Sequence, residues 1–164
     1  NSSSTNARTL SRCIRSFIMH MRRATPSDVT KVFNLLKQMH SETEMKVSPI
    51  STKKLLDAIN SAIHDGVVLL AEAKGKLVGS IGGMLNSDWW SDEEYLSDMW
   101  FYVSPKHRNS IIAIKLVKSF IKIAKEVNIA VKLGHVYSGD IERKDNFFKR
   151  LGLTKAGSLY TEVN

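Results

Sequence analysis

Apolar residues recur at helical steps in some stretches of this chain and alternate with polar ones in others. Val29, Val32, Phe33, Leu36 and Met39 fall three or four apart, the spacing of one helix face. Thr25-Pro26-Ser27-Asp28 stands before them. A hydroxyl cap, proline at the first helical position and an acid three residues after the cap form a helix start. Ser51-Thr52 opens a second helix carrying Leu55, Leu56, Ile59 and Ile63, which Gly66 stops. Val67 to Ala73 and Leu77 to Leu85 flank Lys74-Gly75-Lys76, which predicts a β-hairpin. Asn86 to Glu94 is polar and predicts a loop. Tyr95 to Val103 predicts a strand ended by Pro105, and Ser110 to Val127 a long helix. Ala130 to Tyr137 follows as a strand, and Glu142 to Leu151 as a short helix closed by Gly152. Met19 to Thr25 fits an edge strand and Ser158 to Val163 a last strand.

This order is α/β (α+β), with a mixed sheet. The strand–helix–strand step from Tyr95–Val103 to Ala130–Tyr137 is a crossover. It makes those two strands parallel and the connection right-handed. The start of the crossover helix then lies at the carboxyl end of the first strand, where open α/β sheets bind ligands.

Composition adds limits. With 164 residues, 43% hydrophobic and 24% charged, the chain reads as one ordinary globular domain. No apolar run approaches the roughly 18 residues of a membrane helix. A single cysteine, Cys13, precludes an internal disulfide, and the scattered histidines have no metal-ligand spacing, so no metal is expected. Five arginines and no acid occupy residues 1–27; without them the net charge of +8 falls to +3. A mildly basic domain does not call for nucleic acid. Lys115, Lys118, Lys122 and Lys125 lie opposite the apolar stripe of their helix and read as a solvated face. Residues 1–18 are expected to be a disordered tail outside the domain at 19–164, with Met19 or Met21 as the natural start. Their Arg- and Ser-rich stretch also has the composition of an organelle transit peptide, the alternative to a cytoplasmic location.

The junction Val103-Ser104-Pro105-Lys106-His107-Arg108-Asn109-Ser110-Ile111-Ile112-Ala113 carries the candidate chemistry. A helix start offers unpaired N–H groups and a positive dipole end, which suit phosphate. Arg108 adds a permanent cation, and Asn109, Ser110 and Ala113 are small enough for close approach. A normally capped helix after a strand accounts for the same residues equally well.

Val103-x-Pro105-x-x-Arg108, followed by small residues and a long helix, resembles the coenzyme A motif of the GNAT superfamily of acyltransferases. Arg108 and Ala113 match that pattern; Ile111 stands where its first glycine is expected. Without that glycine the run is similar to variants in phage-borne members. Arg22 to Asp28 resembles the superfamily's first strand and helix entry, and Asn146 to Leu153 its late aromatic helix and turn. The resemblance implies a mostly antiparallel twisted sheet with a central, splayed parallel pair and about four helices. It implies acetyl-CoA as cofactor, its pyrophosphate on the amides around Arg108, Asn109, Ser110, Ile111, Ile112 and Ala113. The pantetheine arm would lie along Phe101, Tyr102 and Val103, in a gap beside Ala130–Tyr137. An amine, either a small molecule or a protein group, would then attack directly.

The acid and base stay open. The superfamily often has tyrosine where this chain has Phe148, so Tyr160, Tyr137 and Tyr102 are substitutes for the acid. Asp98, five residues before Val103, is taken to share a face with Val103 and Phe101 and is the first candidate base. Glu94, Asp92 and His135 are rivals, and ordered water is a further option. The catalytic candidates are therefore Asp98, Tyr160 and His135. Asp88, Asp92, Glu93, Glu94 and Asp98 fall within eleven residues beside Trp89 and Trp90, which favours a cationic acceptor. A GNAT-like module that binds coenzyme A or a protein without catalysis is the alternative, and a homodimer is compatible with either.

Overall fold

The computed structural model describes residues 19–43, 47–135 and 139–162. Strand β1 (Met19–Arg23) leads through a 3-10 turn at Pro26–Asp28 into helices α1 (Val29–Ser41) and α2 (Thr52–Asp65). Then come β2 (Val67–Ala73), β3 (Lys76–Ser87) and β4 (Glu94–Val103), a 3-10 turn at Pro105–His107, helix α3 (Ile112–Glu126), β5 (Ala130–Lys132) and α4 (Ile141–Arg150). The five strands lie in the order β1-β2-β3-β4-β5, antiparallel except for the parallel β4–β5 pair. The expected α/β class, parallel pair and four α-helices are all present. No helix among the described residues is long and apolar enough to cross a membrane.

Two predicted strands differ. Among the described residues of the stretch Ala130–Tyr137, pairing runs only through Lys132; residues 136–138, Tyr137 among them, lie outside the described residues. The last strand is not formed over 158–162; Val163 lies outside the described residues, as do residues 1–18. Alternation there is real, but an alternating segment needs a neighbour to bury its apolar face. Instead Leu159 and Tyr160 are exposed, and among the described residues β5 pairs only with β4. The loop between β3 and β4 is also shorter than predicted, because pairing continues to Ser87↔Glu94.

The sheet is covered on both faces. On one face α3 packs Leu116, Val117 and Phe120 against Leu69, Ile81 and Leu96. On the other, α1 and α2 pack Val32, Leu36 and Ile59 against Val68, Leu70 and Trp100. Such two-sided burial explains the near-continuous apolar runs of β2 and β3.

The predicted helix start is held by charge. Buried Asp28 accepts from both terminal nitrogens of Arg22 at 2.7 Å and from the Thr25 N–H at 2.8 Å. Arg22 also reaches Glu72 at 2.9 Å. The Arg22 hydrogen bonds, helped by Thr25, outweigh burial and hold the Asp28 carboxyl well below the usual range. A depressed carboxylate stabilises the fold above its unfolded pKa, and that stability is lost as pH falls. Asp28→Ala should therefore cost about 3 kcal/mol at neutral pH. In urea melts the difference from wild type should shrink below pH 4; a constant difference would refute the ionic origin.

Candidate active site

Strands β4 and β5 pair only from Tyr95↔Ala130 to Ser97↔Lys132. Beyond that point β4 continues to Val103 with no partner on this side among the described residues. At the fork the Asp98 carboxylate accepts the Gly134 N–H at 2.9 Å, bridging the first gap where a ladder bond would have been. Burial pushes the Asp98 carboxyl up to about 6, with the Gly134 bond and nearby His135 pulling the other way. A carboxylate so placed is mostly ionised at neutral pH yet basic enough to take a proton.

Strict alternation puts residues five apart on opposite faces, so the expected common face of Asp98 and Val103 needs an extra step. The structure supplies one. Gly83 pairs with Asp98 and Gly82 with Trp100, leaving Met99 as the additional residue of a bulge. Leu96 accordingly packs with the α3 face and Trp100 with the α1–α2 face, although both numbers are even. Asp98 keeps the side of Leu96, and Phe101 and Val103 rejoin it past the bulge.

Helix α4 closes the fork with aromatic rings. Phe101 stacks on Phe147 at 6.0 Å and meets Phe148 edge-on at 6.3 Å. The His135 ring lies nearly parallel to Phe148 at 5.7 Å. Its Nε2 is 2.8 Å from Asp145 Oδ1, and Lys155 holds the other oxygen of Asp145 at 2.8 Å. Those two partners keep the Asp145 carboxyl below its ordinary value. Asp98 and His135 are thus brought together. Tyr160 is 90% exposed in an irregular segment and is not part of this cluster.

At the carboxyl end of β4 the chain turns through Pro105–His107 and enters α3 with Ile111 at its cap. Ser110 Oγ donates to the His107 carbonyl at 2.5 Å and accepts the Ile112 N–H at 3.3 Å. The N–H groups of Asn109, Ile111, Ala113 and Ile114 make no hydrogen bond within the described residues, as expected of a helix start. Open donors of this kind suit an anion. Ile111 is exposed, so its side chain in place of glycine points away from the core and leaves its own N–H available. Arg143 of α4 reaches the Asn109 side chain at 3.2 Å.

Arg108 is more tightly held than its motif suggests. Its Nε donates to the Val103 carbonyl at 2.9 Å and its Nη2 to Glu42 Oε2 at 2.5 Å, and the guanidinium lies 5.4 Å from the Tyr102 ring centre. The buried Tyr102 hydroxyl donates to Glu42 Oε1 at 2.6 Å. Tyr102 therefore faces α1, and only its backbone borders the fork. Sequence reasoning missed Glu42 and Asp145. Asp145 had a signal, since it lies one helical turn before Phe148; Glu42 had none.

The loop between β3 and β4 carries Trp89 and Trp90 edge to face at 5.1 Å, 91% and 67% exposed. Asp88 is paired with Lys132 at 2.8 Å. Asp92, Glu93 and Glu94 are exposed and in no ion pair among the described residues.

The model of the acetyltransferase (GNAT) family matches residues 30–153. Solved structures share the fold at low identity. A predicted acetyltransferase from Clostridium acetobutylicum, solved with acetyl-CoA, is 17% identical, with a TM-score of 0.71 over 89% of this chain and 96% of that one. An aminoglycoside acetyltransferase from an uncultured soil metagenomic sample, in complex with trehalose, is 16% identical, with a TM-score of 0.67 over 90% and 97%. Glucosamine-6-phosphate N-acetyltransferase from Arabidopsis thaliana is 18% identical, with a TM-score of 0.65 over 88% and 97%. Among curated proteins, none matches the chain by sequence.

Proposed function

This chain belongs to the acetyltransferase (GNAT) family and is an acetyl-CoA-dependent N-acetyltransferase, and from that premise we propose that its acceptor is a cationic primary amine and that Asp98 is its base. The observation that carries the assignment is Asp98 at the fork, ionisable near pH 6 and hydrogen-bonded to Gly134. Acetyl-CoA, when bound, supplies an acyl carbon that an amine can attack directly. The free N–H groups of Asn109, Ile111, Ala113 and Ile114 suit its phosphates. The edge of β4 at Phe101–Val103, unpaired among the described residues, suits its amide-bearing arm. Asp98 takes the ammonium proton. Phe148 has no proton to give, and His135, stacked on it and held by Asp145, stands in as the donor to the departing sulfur. The carboxylate of Asp145 fixes the orientation of the His135 ring.

The carboxylates of Asp92, Glu93 and Glu94 support a cationic acceptor, because they are exposed, in no ion pair among the described residues and beside two exposed indoles. One of the fold neighbours is named for aminoglycosides, which are polycationic amines. The test is an acceptor panel with acetyl-CoA, comparing polyamines, aminoglycosides and lysine peptides with acidic amino acids. Cationic amines should turn over best. Replacing Asp92, Glu93 and Glu94 together by their amides should raise KM for the best of them about tenfold, most strongly at low salt. An anionic amine as preferred acceptor, or an unchanged KM, would sink the assignment.

A further inference from the structure

Glu42 is the first residue past α1 and belongs to no motif of the chain, yet its carboxylate accepts three side-chain hydrogen bonds. It accepts from the Tyr102 hydroxyl at 2.6 Å, from Arg108 at 2.5 Å and from Gln38 at 3.3 Å. Burial opposes its charge, but the bonds from Tyr102 and Arg108 win and keep it below its ordinary value. Arg108 in turn holds the carbonyl of Val103, the last residue of β4. One guanidinium thus joins the end of α1 on one face of the sheet, the end of β4 within it, and the turn that climbs to α3 on the other face. Asn109 and Ile111, two of the N–H donors without a bond among the described residues, lie one and three residues after Arg108.

We propose that Glu42 is a positioning residue for the coenzyme turn, holding Arg108 as a bracket that fixes the direction of the 109–114 amides. The inference rests on the reading of that turn as the acetyl-CoA site. Arg108 is 47% exposed, and an ion pair so open contributes little stability by itself. Its geometry matters more. A charge-assisted bond combined with a bond to a strand-end carbonyl leaves the guanidinium one orientation. A turn held in its binding shape loses less entropy when it meets an anion. In this arrangement the phosphate is met by the backbone, and the charge of Arg108 is answered by Glu42.

The opposite account is that Glu42 screens Arg108 from the phosphate, and the two differ in sign. Coenzyme A affinity should be measured by calorimetry for wild type, Glu42→Ala and Glu42→Gln. Amide hydrogen exchange over residues 104–111 should be followed in the same proteins without ligand. The bracket requires Glu42→Ala to weaken coenzyme A about tenfold and to speed exchange in the turn, while exchange in α3 stays slow. Glu42→Gln keeps an acceptor for Arg108 or Tyr102 and should recover part of both. In turnover, KM for acetyl-CoA should rise with kcat little changed. Tighter binding in Glu42→Ala, or unchanged exchange in the turn, would overturn the proposal. Failure of the wild type to bind coenzyme A would instead overturn the site reading, and the exchange data would still decide whether Glu42 holds the turn.

Discussion

Asp98→Asn should lower kcat by about 10²- to 10⁴-fold while leaving the folded protein no less stable at neutral pH. The two halves of this result come from one cause. The native carboxyl titrates at about 6 because burial disfavours its charge, whereas an unfolded aspartate titrates near 3.8. Between those values the native state binds more protons than the unfolded one, so stability falls as pH rises through the window. Above pH 6 the whole cost persists, on the order of 3 kcal/mol. Asparagine keeps an acceptor for the Gly134 N–H but carries no charge, so the cost disappears. Guanidinium melts at pH 7.5 should show the variant equal to or above wild type, with the gap closing toward pH 4. The rate should tell the complementary story. Wild-type kcat/KM should rise with pH through an apparent pKa near 6, and the variant should lose that limb. A variant that keeps the limb would move the base elsewhere, and one that unfolds more easily at pH 7.5 would contradict the burial account.

Much of the frame was legible because its signals are local. The β2–β3 hairpin follows from Lys74-Gly75, both at positive φ; such a turn asks for glycine. Thr25 and Asp28 announce a helix start, and Thr25 does donate to Asp28. Arg108 and its small neighbours mark the turn before α3. The strand β4 hides more. Leu96, Trp100 and Tyr102 are all buried, and a strand covered on both faces has no alternation to break, so nothing in Leu96–Val103 reveals the bulge at Met99. Glu42 was beyond reach for a different reason. Its partner lies 66 residues away, and a lone acid after a helix is unremarkable until the fold brings Arg108 to it. The last strand is not formed over the described part of its range: Ser158 to Val163 alternates, but alternation cannot say whether a neighbouring edge is present.

Gly83→Ala should be strongly destabilising for a single methyl, and it should remove activity through Asp98. A Cβ at Gly83 would stand 2.2 Å from the Ser97 carbonyl oxygen and 2.7 Å from Cζ of Phe120. Neither can step aside. Ser97 is backbone paired to β5 at Lys132, and Phe120 is fully buried in the α3 core. Overpacking in a well-filled core ordinarily costs about 1–3 kcal/mol, and contact with a fixed carbonyl puts this case at or beyond the upper end. The position also faces Asp98 across the bulge, so any relief must come from shifting β4 where it forks from β5. Stability and the direction of the Asp98 carboxylate should therefore be lost together. Gly157→Ala is the control, since a Cβ there has nothing within 4 Å and should change neither. Thermal melts and turnover on both variants test the argument. If Gly83→Ala melts within a degree or two of wild type, the close approach at the bulge is not fixed. If it is destabilised but turns over normally once folded, the bulge does not aim Asp98.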